Sequence, residues 1–137
     1  MVTDEVRVPV SSDADVVAAR EKGRELSSRL GFSSIDLTLI VTAISEVARN
    51  IILYANRGEI LLRVEDDGGV SGIVVEARDS GPGIPDVELA MRDSFSTGSG
   101  LGLGLPGARR LMDEFEIESQ VSKGTRVVMK KWAPDRA

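Results

Sequence analysis

Apolar residues recur along this chain with two different periods, and the switches between them mark out its elements. Residues 5–10 alternate, with Val6, Val8 and Val10 on one side, the pattern of a half-buried strand. After Ser12 or Asp13, either of which suits a helix cap, the spacing lengthens. Val16, Val17, Leu26 and Leu30 then form the apolar side of a first helix, which Gly31 stops. Ser33-Ser34-Ile35-Asp36 has the form of a capping box and opens a second helix that runs to about Ala55. Residues 59–65 and 73–79 read as strands, and Asp66-Asp67-Gly68-Gly69 between them is turn chemistry, which predicts a hairpin. Residues 80–100 hold Pro82, Pro85 and several small residues, with a short helix expected near residues 87–91. A loop of that length inside a compact domain is usually functional. A third helix is expected from about Leu101 to Phe115. Strands at residues 116–121 and 125–132 then pair across Ser122-Lys123-Gly124, and residues 133–137 read as a frayed tail.

The order β-α-α-β-β-loop-α-β-β predicts one α/β (α+β) domain over residues 1–137. Its architecture is a two-layer sandwich: a mixed, mainly antiparallel sheet with helices on one face. Composition narrows the chemistry by exclusion. A net charge of -5 argues against nucleic acid or an anionic membrane as the main partner. The pairs Arg109-Arg110 and Lys130-Lys131 fit solvated faces or helix ends better. The chain has no cysteine, hence no disulfide or thiolate metal site, and no histidine, hence no imidazole base or ligand. No apolar run is expected to reach membrane-spanning length, and MVTDEVRV lacks the basic and apolar regions of a signal peptide. The expectation is a soluble cytoplasmic domain.

Candidate chemistry begins with GSGLGLGLPG at residues 98–107, five glycines in ten positions ahead of a helix. Such a segment lets backbone N–H groups turn toward a ligand, and the helix dipole behind it favours phosphate. On the second helix, Ile35, Leu39, Ala43, Glu46, Asn50 and Leu53 share one stripe beside the core-facing Ile40, Ile44, Val47 and Ile51. Glu46 and Asn50 therefore stand one turn apart at the border of an apolar face. A wet helix edge with Glu46 paired to Arg49 explains them, and so does a site in which both act on a ligand. Beside a phosphate site, an Asn carbonyl suits Mg²⁺, and a Glu one turn away can take the proton of an attacking hydroxyl.

Asp79-Ser80-Gly81-Pro82-Gly83 ends a strand with an acid and continues as D-x-G-x-G. It is either an ordinary turn or a carboxylate that accepts the amino group of adenine, with glycines that let the chain lie close to the base. Gly124-Thr125 is likewise a plain hairpin turn or a hydroxyl reaching the same pocket. Other glycine motifs fail. Gly102 to Gly107 matches G-x-G-x-x-G but follows the loop DSFSTGSG rather than a strand, and no Walker A G-K-[ST] is present. The eukaryotic-type protein kinase set is absent, and its H-R-D element is impossible without histidine.

Four elements stand in order: E-x-x-x-N (Glu46, Asn50), D-x-G-x-G (Asp79, Gly81, Gly83), G-x-G-L-G-L-G (Gly98 to Gly104) and G-T (Gly124, Thr125). This set resembles the motif boxes of the GHKL ATPase/kinase superfamily, whose ATP-binding domain is the Bergerat fold, and the resemblance covers nearly the whole chain. It implies Asn50 as the Mg²⁺ ligand, Glu46 as catalytic base and Asp79 as the adenine reader with Thr125 behind it. Gly98, Gly100, Leu101, Gly102, Leu103 and Gly104 would wrap the phosphates of ATP, and residues 86–97 would be a lid.

Without histidine or dimerisation helices the chain is no complete histidine kinase, and it lacks the added domains of the gyrase, Hsp90 and MutL types. It is similar to the bacterial anti-sigma-factor serine/threonine kinases. ISEVARNI, SGPGIPD, DSFSTGSGLGLGLPG and RRLMDEF bring it nearest the switch kinases of stressosomes. That resemblance implies STAS-domain scaffold proteins of the stressosome as substrates and a PP2C-type phosphatase as downstream target. The alternative is an anti-sigma kinase that sequesters a sigma subunit. Such relatives tend to carry a basic residue where this chain has Gly98-Ser99-Gly100, which tilts against it.

Overall fold

The computed structural model describes residues 5–91 and 104–134. Strand β1 (Val6–Val10) leads into helix α1 (Asp13–Ser28) and then helix α2 (Ser34–Ala55). Strands β2 (Gly58–Asp67) and β3 (Val70–Asp79) follow, then the one-turn helix α3 (Val87–Ala90). Helix α4 (Gly104–Leu111) and strands β4 (Glu114–Gln120) and β5 (Gly124–Trp132) complete the order. The five strands form one sheet in the order β1-β2-β3-β5-β4, and each pairing is antiparallel.

Alternation along the strands decides the layers. Val8 and Val10, Ile60 and Leu62, Ile73, Val75 and Ala77, Val127 and Met129 all face the helices and join one buried cluster. Helix α2 fills it with Ile40, Ile44, Val47 and Ile51, the side expected to face the core. Ser33 caps α2 by accepting the Asp36 N–H at 3.1 Å, the first half of a capping box. Contrary to the expectation from apolar runs, α2 meets the length and composition of a membrane span, with 22 residues and hydropathy 1.5. In this fold it is the central core helix, so the apolar run is accounted for by burial against the sheet.

Three boundaries and one cap differ from expectation for physical reasons. Ser12 is the N-cap residue of α1, as expected, but its hydroxyl caps no helix N–H. Instead Asp15 reaches back to accept from the Ser11 N–H and from both serine hydroxyls, and the Ser11 backbone bond leads in holding its carboxyl below the ordinary range. Asp66 and Asp67 lie in β2, since Gly68 (φ 60°) and Gly69 (φ 89°) alone supply the two left-handed positions of a tight hairpin. Helix α4 stops at Leu111, and Phe115 belongs to β4, where it pairs with Met129. Ala133 is not frayed: it is buried and donates its N–H to Ser71 O at 2.8 Å.

The sheet face away from the helices is charged. Glu76 lies at its centre, with 2% of its side chain exposed, between Arg63, Arg78 and Arg126. Burial by itself would raise the Glu76 pKa, but hydrogen bonds and charge from Arg78 and Arg126 outweigh it and hold the carboxyl below its ordinary value. Leu61, Val74 and Val128 share this face with Glu76 and Arg63 and stay buried on it.

Candidate functional site

Where the helix layer ends, the inward positions of three adjacent strands turn polar. Asp79 pairs with Thr125 across β3 and β5, and Thr125 pairs with Ser119 across β5 and β4, so the three stand in one row. Directly opposed residues share a face, and the apolar residues next along each strand face the helices. Thr125 and Ser119 hydroxyls meet at 2.8 Å. Asp79 Oδ1 accepts the Gly81 N–H at 2.9 Å, which folds the chain sharply after β3.

The loop after β3 is then tied to the β4–β5 hairpin. Ile84 N–H donates to Ser119 Oγ at 2.7 Å, and Ser122 N–H donates to Pro82 O at 2.7 Å. Gly83, with φ 78°, lies so close to that hairpin that a Cβ there would stand 2.2 Å from Gln120 O. Ser119 was not among the expected site residues. Its signal is the alternation Phe115, Ile117, Ser119, in which a hydroxyl takes an inward position.

A cavity of about 250 Å³ is walled by Asn50 and Tyr54 of α2, by Gly83, Ile84 and Pro85 of the loop, and by Gly104 at the start of α4. Asn50 is half-buried there, and its amide makes no hydrogen bond with another described residue. Glu46, one turn earlier, makes the expected local pair and one long-range contact. Its Oε1 accepts from Arg49 Nη1 at 3.1 Å, the expected local pair, while its Oε2 accepts the Gly104 N–H at 2.7 Å. The carboxylate thus sits at the N-terminus of α4, where helix N–H groups lack partners and the dipole favours an anion.

The structure therefore brings Asn50, Gly83 and Gly104 to one cavity, joins Glu46 to it through the Gly104 N–H, and packs Gly81 against Ala55 at the end of α2. Asp79 and Thr125 wall a second, more open groove of about 730 Å³ that runs around the sheet end to Arg57, Arg78, Lys123 and Arg126. Gly98, Gly100, Leu101, Gly102 and Leu103 lie outside the described residues, as does most of the expected lid. Among the described residues no three acidic side chains converge on a point. The donors fit Mg²⁺ only in part: one free amide oxygen on Asn50, leaving phosphate and water to complete the shell.

The chain belongs to the histidine kinase-, DNA gyrase B- and HSP90-like ATPase family, whose sequence profile matches residues 35–135. It is 47% identical over 131 residues to the serine/threonine-protein kinase RsbT of Bacillus subtilis, covering 96% of this chain and 98% of that one. It is 38% identical over 103 residues to an anti-sigma F factor of Geobacillus stearothermophilus, covering 70% and 69% of the two chains. The catalytic domain of histidine kinase ThkA, solved nucleotide-free, superposes with a TM-score of 0.52 at 18% identity over 97% of each chain, a likeness of fold. The two-layer sandwich expected from the motif order is the fold this family shares.

Proposed function

We infer that this chain is a serine/threonine protein kinase of the partner-switching kind, using ATP in the cavity between α2, the loop after β3 and α4. What carries the reading is a cavity walled by Asn50 and Gly104, with Glu46 hydrogen-bonded to the Gly104 N–H at its edge, in a chain 47% identical to a serine/threonine-protein kinase. The nucleotide extends from this cavity to the second groove, where Asp79, aligned with Thr125, reads the adenine amino group, and Gly81 and Gly83 let the loop lie along the base. Gly98, Gly100, Leu101, Gly102, Leu103 and Gly104 present N–H groups to the phosphates ahead of α4.

Asn50 would hold Mg²⁺, which supplies neutralising charge to the phosphates when bound. Glu46 receives the proton of the partner's hydroxyl. The hydroxyl oxygen bonds to the γ-phosphorus as the bond from phosphorus to the β–γ bridging oxygen breaks, and ADP departs. Positioning and charge are most of what this chemistry needs.

The substrates in this reading are STAS-domain scaffold proteins of a stressosome, and the kinase once released activates a PP2C-type phosphatase. The place of action is the cytoplasm. Incubation with γ-labelled Mg·ATP and a STAS-domain protein of the same genome tests it, with mass spectrometry locating the phosphate. Label on a serine or threonine is the expected result. Absence of label, with a sigma factor co-purifying instead, overturns it in favour of sigma sequestration, the activity named in the anti-sigma F relatives.

A further inference from the structure

Glu46 is held at both ends. Arg49 Nη1 binds Oε1 at 3.1 Å and the Gly104 N–H binds Oε2 at 2.7 Å. The two partners differ in kind. Gly104 sits at the start of α4, the place the proposed function gives to nucleotide phosphate. A phosphate oxygen arriving there competes with the Glu46 carboxylate for the same N–H, and two anions on one donor repel. Arg49 comes from the same helix, three residues on, and stays in reach wherever α4 goes.

We propose that Arg49 is the positioning residue for Glu46. When phosphate takes the Gly104 N–H, the guanidinium keeps Oε1 fixed and leaves Oε2 free to accept the hydroxyl proton. The proposal rests on the reading of Glu46 as the base. Stability is a poor explanation for the pair. An i, i+3 contact with 40% of the Arg49 side chain exposed adds little to the fold, whereas 12% exposure of Glu46 leaves its carboxylate few rotamers once anchored. Among the described residues Arg49 makes no other hydrogen bond or ion pair, and it does not wall the cavity.

The test compares Arg49→Ala, Arg49→Lys, Glu46→Gln and the double variant Glu46→Gln/Arg49→Ala. Each is assayed with Mg·ATP and the STAS-domain substrate, and ADP affinity and melting temperature are measured alongside. The expected result is a kcat for Arg49→Ala lower by about tenfold to a hundredfold, the scale of a misplaced catalytic group. ADP affinity and melting temperature stay near wild type, Arg49→Lys recovers part of the rate, and the double variant is no slower than Glu46→Gln. A kcat for Arg49→Ala within twofold of wild type overturns the proposal, as does a further loss in the double variant, since Arg49 would then act apart from Glu46. If Glu46→Gln alone turns over normally, the base assignment falls, and this role of Arg49 with it.

Discussion

Gly83→Ala separates two reasons for a glycine in the D-x-G-x-G loop. The sequence suggests close approach to a flat base, a reason that exists only with ligand bound. The structure supplies one that exists without it. At φ 78° an L-residue is strained by roughly 1–2 kcal/mol. The new Cβ would also stand 2.2 Å from Gln120 O and 2.7 Å from Gln120 C, backbone atoms that cannot swing aside as a side chain would. The loop must retreat by roughly an ångström to regain ordinary contact. That retreat strips the hairpin of Ser122 N–H to Pro82 O and Ile84 N–H to Ser119 Oγ, both 2.7 Å. At roughly 0.5–1.5 kcal/mol each, these bring the total to about 2–5 kcal/mol. A domain of this size then melts roughly 10 °C lower. Urea and thermal unfolding without nucleotide read the effect. An unfolding midpoint equal to wild type, with only ADP affinity reduced, refutes the packing argument and returns Gly83 to a ligand role.

Glu76→Gln should destabilise by about 2 kcal/mol at neutral pH, less than for a fully buried pair because Arg78 and Arg126 are nearly half exposed. Because the folded pKa of Glu76 lies below its ordinary 4.5, its contribution is present above that value and fades as pH falls through the folded pKa. Urea midpoints of the two proteins should therefore converge below about pH 4.5; a constant gap down to strong acid would contradict the ion-pair account. Asp79→Asn should weaken ADP binding by about tenfold or more with little change in stability, since an amide oxygen still accepts the Gly81 N–H. Unchanged ADP affinity by calorimetry would count against the adenine role.

What the sequence makes legible follows the range of the interaction involved. Ile40, Ile44, Val47 and Ile51 announce the core face of α2 because helical spacing alone sets it. The Ser33 cap is equally local. The stretch LMDEF, by contrast, has good helix formers, yet strand pairing with β5, Phe115 with Met129 included, takes its last two residues into β4, and only the fold supplies that partner. The contact of Glu46 with Gly104 spans 58 residues and has no local signature. The local pair of Glu46 with Arg49 is present, and the same carboxylate also reaches Gly104. Ser119 was readable in principle, as a polar residue in an inward position of an alternating strand. No motif box draws attention to it.

The central claim is that nucleotide phosphate lies in the cavity of Asn50 and Gly104 rather than in the groove of Arg57 and Lys123. Backbone amide chemical-shift mapping on addition of Mg·ADP distinguishes them. The account predicts large shifts at Asn50, Gly83 and Gly104, which decide between the two, together with Asp79 and Gly81 at the base, and the Gly104 amide moves as phosphate replaces the Glu46 carboxylate. Shifts confined to Arg57, Arg78, Lys123 and Arg126 in the larger groove, with Asn50 and Gly104 unmoved, would contradict it.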